Sequence, residues 1–131
     1  MRRARILLLT AIVGLTLGYA CAGVTARKHV MIPAMKKMWP SIERRATRGL
    51  DVGTIGTETR AATRAAMSSM AKMLSEGDID RAAQIRWDLI KDMALLGIGD
   101  MLKHEEIGPG VAESLREGVR VFDEAFKRLV G

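Results

Sequence analysis

The sequence predicts an all-α chain: an apolar N-terminal helix long enough to cross a bilayer, followed by a small helical domain. Three observations carry this. Residues 6–24 contain no charged side chain. Only 5 of the 131 residues are aromatic, so Ala, Met, Leu, Ile and Val must fill the core, a composition that suits helices better than a β-sandwich. Apolar residues then recur at three- and four-residue intervals along the later segments, with most of the 13 glycines falling between them. The chain divides into a signal-anchor over residues 1–25, a basic juxtamembrane segment and hinge over 26–56, and a helical domain over 57–131.

In the first part "MRRAR" precedes "ILLLTAIVGLTLGYACAGV". A helix of that apolar length rises roughly 28 Å, close to the ~30 Å hydrocarbon thickness. Three fates compete for it. A retained signal-anchor fits the uninterrupted apolar length, and we take that reading. Ala20-Cys21-Ala22 also forms an A-x-A site, at which a peptidase would cut after Ala22. Ala20 before Cys21 resembles the bacterial lipobox, although Gly18 stands where that motif has Leu; the resemblance implies an acylated Cys21. Within the span, Gly14 and Gly18 form a G-x-x-x-G pair that Ala11 and Ala22 extend, a face on which two helix backbones approach closely. Arg2, Arg3 and Arg5 ahead of the span place the N-terminus in the cytoplasm and the domain on the outer side of the inner membrane.

Charge is unevenly spread. Residues 1–72 hold 13 Lys/Arg against 3 Asp/Glu, whereas residues 73–131 hold 8 against 12. A basic proximal half and an acidic distal half imply different surroundings for the two. In residues 29–50, Met31, Met35, Met38, Trp39, Ile42 and Ala46 recur at helical spacing, and Lys36, Lys37, Arg44 and Arg45 fall mostly elsewhere on the wheel. Pro33 suits a first turn and Pro40 predicts a kink. The pattern is that of an interfacial helix, with Lys36, Lys37, Arg44 and Arg45 on anionic lipid and Met35 and Trp39 inserted. The alternative is a stripe that packs on the rest of the domain.

"DVGTIG", residues 51–56, reads as a hinge. Residues 57–77 read as a helix with Thr57 as N-cap and Gly77 as stop, and residues 78–97 as a second, capped by Asp78 and closed by Gly97. The tight turn between them predicts an αα-hairpin. Arg86 projects from within the apolar face, which makes it a candidate interaction residue or half of an internal ion pair. Residues 98–110 read as a connector. The last segment has the cleanest pattern: Val111, Leu115, Phe122, Phe126 and Leu129 form one stripe, expected to close the bundle, with Phe122 and Phe126 as the alternative docking residues. Asp123/Lys127 and Glu124/Arg128 are acid-before-base pairs four apart. About three main helices are therefore expected beyond the span.

No reaction is written in the chain. His104 in "HEE" lacks the second His of a zinc helix, one cysteine excludes an internal disulfide and a Cys-based zinc site, and no phosphate loop or nucleophile elbow is present. We expect no catalytic residue, metal, cofactor or small-molecule substrate. Nucleic acid is disfavoured, since few aromatics accompany the arginines. The expected function is a membrane-anchored binding or assembly protein, an accessory or structural subunit of a bacterial or phage envelope complex. Its partners would be membrane lipid and other membrane subunits, or further copies of itself. The alternative is a secreted or lipid-anchored binding protein released or modified near Cys21. A third reading, from the N-terminal span, resembles phage spanins, although the Gly and Pro interruptions break the long coiled coil that such a likeness implies.

Overall fold

α1 spans Val24–Leu50, α2 Thr57–Glu76, α3 Gln84–Lys103 and α4 Pro109–Val130, with a short 3-10 turn at Arg81–Ala83. A computed structural model describes the backbone of residues 24–131 and the side chains of residues 28–131. Among the described residues the fold is entirely helical. The residues expected to form the span, including Ala11, Gly14, Gly18, Ala22 and Cys21, lie outside them. No described helix is long and apolar enough to cross a membrane.

The helices run alternately up and down. Lys28 near the start of α1 pairs with Asp78 just beyond α2 at 3.6 Å. Arg48 near the end of α1 meets Asp100 near the end of α3 at 3.0 Å. α1 and α3 are therefore parallel and α2 and α4 run against them, as short connections require. The arrangement is flattened. α1 and α3, the diagonal pair, make the largest contact in the fold, while α2 and α4 each lie against both and barely touch one another.

Small residues explain the flattening. Gly49, Ala46, Ala94 and Gly97 are buried where α1 and α3 meet. A Cβ on Gly49 would strike the carbonyl oxygen of Met93, and one on Gly97 would strike that of Arg45. The two backbones touch because neither position carries a side chain. This corrects the expectation that Gly97 ends its helix: α3 continues through it to Lys103.

α1 likewise runs through Pro33 and Pro40 instead of kinking into separate helices. Both prolines are exposed, so water can take up the carbonyls that each ring deprives of an N–H partner. At the other end of α1, Arg60 donates from Nε to the Leu50 carbonyl at 3.0 Å, tying the start of α2 to the last turn of α1. Gly56 rather than Thr57 occupies the N-cap of α2, and Asp80 rather than Asp78 makes the side-chain cap, accepting from the Ala83 N–H at 3.1 Å. Among the described residues there are four helices rather than the three expected, because residues 26–56 contribute α1 to the common core.

Candidate functional site

The core decides which sequence candidates are available to a partner. Met31, Met35, Met38, Trp39, Ile42, Ala46 and Leu50 of α1 are all buried. Trp39 lies 6.3 Å, ring centre to ring centre, from Phe122 and donates its indole N–H to Glu43 at 3.1 Å. Met35 and Trp39, expected to insert in lipid, lie in the core here: the same stripe that would anchor an isolated helix is used to close the bundle. Phe122 and Phe126 are also fully buried, against Trp87 at 4.6 and 6.1 Å, and so are core side chains rather than exposed docking residues.

Trp87 is the residue that the sequence pattern passed over. It is fully buried, and its Nε1–H donates to Asp123 Oδ1 at 2.8 Å. Asp123 is itself buried, with Lys127 Nζ at 3.0 Å and Lys91 Nζ at 3.5 Å. Burial pushes its carboxyl up, but the Trp87 and Lys127 hydrogen bonds and the Lys91 charge outweigh that and hold it below its ordinary value. Lys127 is raised in turn, chiefly by its hydrogen bond to Asp123. The Asp123/Lys127 spacing signals a helix-surface pair; nothing local signals that a tryptophan 36 residues earlier completes it. Arg86, expected within the apolar face, is exposed on α3 and joins none of the ion pairs among the described residues.

A second polar cluster joins the parallel ends of α1 and α3. Arg48 Nε contacts Asp100 at 3.0 Å, Nη1 contacts Glu106 at 2.9 Å, and Nη2 contacts the other Glu106 oxygen. Hydrogen bonds to Glu106 and then to Asp100 raise the Arg48 guanidinium further above its ordinary value. Both clusters hold helices together. The described residues contain no group of His, Cys, Asp or Glu arranged to hold a metal.

What remains on the outside is a basic ridge. α1 carries 7 Lys/Arg and 1 acidic residue, Glu43, whose side chain accepts from Trp39. Lys36, Lys37 and Arg44 are exposed on the side of α1 opposite its buried stripe, and none of them joins an ion pair among the described residues. Arg45 is half-buried beside them. Along one edge of the ridge, α1 and α4 leave a groove of about 110 Å³. Met38, Ile42, Leu115 and Val119 line it, with Lys37 and Arg45 at its α1 edge. Gly118 of α4 also lines it, and a Cβ there would meet no other atom within 4 Å. The ridge and groove together can bind an anionic surface that carries a small apolar side chain. The chain matches no protein-family model, no curated protein and no solved structure.

Proposed function

We propose that this chain is a membrane-anchored helical binding protein, an accessory or assembly subunit whose α1 ridge receives an anionic protein partner. One observation carries the reading: Lys36, Lys37 and Arg44 stand exposed without carboxylate partners among the described residues, on a helix continuous in sequence with an uncharged run of residues 6–24. Fixed cationic side chains that the fold itself does not neutralise create a field that steers an acidic surface toward them.

Protein suits the ridge better than lipid. A helix rising 1.5 Å per residue puts Lys36 about 18 Å and Arg44 about 30 Å beyond Val24, farther than the ~8 Å screening length, if α1 follows the membrane normal. Lipid contact would require α1 to lie flat, and the side chains that would anchor it so are in the core. The domain is proposed to stand on the extracytoplasmic side of the inner membrane, following the Arg2, Arg3 and Arg5 cluster.

Two measurements test this. Intact mass of the membrane-extracted protein should equal the full chain; a chain starting at Gly23 would make it a released binding protein, and a lipid adduct on Cys21 a lipoprotein. Zwitterionic and anionic nanodiscs carrying the full chain should then give the same protection of Lys36, Lys37 and Arg44 from amine- and guanidine-directed labelling. Protection only on the anionic bilayer would return the ridge to lipid.

A further inference from the structure

The outer face of α3 is the second surface that the fold leaves open. α3 is the most apolar of the described helices and the least one-sided. Its buried side holds Trp87, Ile90, Met93, Ala94, Gly97 and Ile98, yet Ile85 on the opposite side is 75% exposed and Leu95 39%. A helix with apolar residues on both sides is normally covered on both. Between Ile85 and Leu95 lie two acids. Asp92 is exposed and joins none of the ion pairs among the described residues, and Asp88 keeps a half-exposed side chain, held by Gln84 at 3.1 Å and near Lys91 at 3.9 Å.

We propose that this acidic-apolar face of α3 docks on the basic ridge and groove of α1 in a second copy of the chain, joining copies head to tail into rows. The proposal rests on the reading of the ridge as a protein-binding surface and names its occupant. Charge and size agree. Lys37 and Arg44 lie seven residues, about 10.5 Å, apart, and Asp88 and Asp92 about 6 Å, a difference that long Lys and Arg side chains span. A 150 Å³ cavity admits a benzene, so the groove of about 110 Å³ admits one aliphatic side chain, for which Ile85 stands one turn before Asp88.

Direction agrees as well. α1 and α3 pack on each other by their buried faces, so their outer faces point to opposite sides of the flattened bundle. The contact therefore uses two different surfaces and does not close on itself. Because α1 and α3 are parallel, a near-translation brings α1 of one copy beside α3 of the next and keeps every Val24 at the same level. That is the geometry a row of molecules anchored through their N-termini requires.

The test uses the full chain in mild detergent, with and without 0.5 M salt, and two surface variants: Lys37→Glu with Arg44→Glu, and Ile85→Lys with Asp92→Lys. All four positions are exposed. The wild type should sediment as a ladder beyond the dimer that salt reduces to its smallest species. Each variant alone should show only that smallest species. An equal mixture of the two should form pairs and nothing larger, because each variant retains the half that the other has lost. Melting curves like the wild type's confirm that the variants are folded. A wild type that never exceeds its smallest species, a variant that assembles like the wild type, or a mixture that fails to pair would each overturn the proposal. The first result leaves the ridge as a site for another acidic protein, which the labelling experiment above tests separately.

Discussion

The two ends of the α1/α3 pair hold together by opposite means. At the upper end the helices approach by omission: Gly49 and Gly97 lack side chains, the backbones touch, and Arg48 fastens the seam to Asp100 and Glu106. At the lower end the space beside the pair is filled instead, with Trp87 of α3 packed on Phe122 and Phe126 of α4 and Trp39 of α1 alongside Phe122. The difference shows how a chain with five aromatics forms a four-helix core: it concentrates large rings at one level and removes the need for them at the other.

The upper end is the less forgiving. A side chain at Gly97 meets the rigid carbonyl of Arg45 rather than a movable rotamer. Gly97→Val should cost on the order of 5 kcal/mol or more, the whole stability of a small domain, measured as loss of cooperative melting of the full chain in detergent. Retention of a normal melt would mean that the two backbones are not in contact. At the lower end, Phe122→Ala leaves a cavity beside Trp87 and Trp39 and should cost about 3–5 kcal/mol. A loss below 1 kcal/mol would show that the aromatic level collapses around the gap.

Much of this contrast was legible in the chain. The helical periods of α1 and α4, the αα-hairpin and the buried Phe122/Phe126 stripe all follow from spacing, because amphipathic helices carry their core face in local sequence. Gly97 misleads because a glycine that ends a helix and a glycine that lets another backbone approach have the same local surroundings. Only the partner helix separates them. Met35 and Trp39 leave two readings open for a related reason: an apolar stripe beside Lys and Arg serves a lipid surface or a protein core equally well. Trp87–Asp123 and Arg48–Glu106 join residues 36 and 58 positions apart, and no period reports such pairs. The exposed ridge of Lys36, Lys37 and Arg44 was visible as basic residues off the apolar stripe, but not that none of them joins an ion pair among the described residues.

The polar contacts also differ between the two ends. Asp123 is buried and held below its ordinary value of 3.8, whereas the Arg48 cluster is more open to water. A carboxylate with a depressed folded value adds stability that is full above the unfolded value and is lost as pH falls through the folded one. Asp123→Asn should therefore cost about 1–3 kcal/mol at pH 7, and the gap to wild type should shrink as pH drops below 3.8. A gap independent of pH would show that shape, not charge, is what Asp123 supplies. Arg48→Met should cost less, in keeping with the greater exposure of the Arg48 and Glu106 side chains.

The smallest effect compares two helix ends built alike. α2 and α3 both finish with a residue in the left-handed region, Gly77 at φ 73 and Glu105 at φ 58. In each, the next amide reaches back five residues: Asp78 N–H to Met73 O at 3.1 Å, and Glu106 N–H to Met101 O at 3.0 Å. α2 uses the residue that this conformation favours, and α3 does not. Glu105 pays about 1 kcal/mol for a left-handed backbone in order to set Glu106 against Arg48. Glu105→Gly removes that strain but enlarges the freedom of the unfolded chain, so its net gain should be near 0.5 kcal/mol. Gly77→Glu should lose about 1 kcal/mol, and the loss would be conformational, since a Cβ there meets nothing within 4 Å. Paired thermal melts read both changes. If Glu105→Gly destabilises, the Glu105 side chain holds a contact of its own, and the likeness between the two ends stops at the backbone.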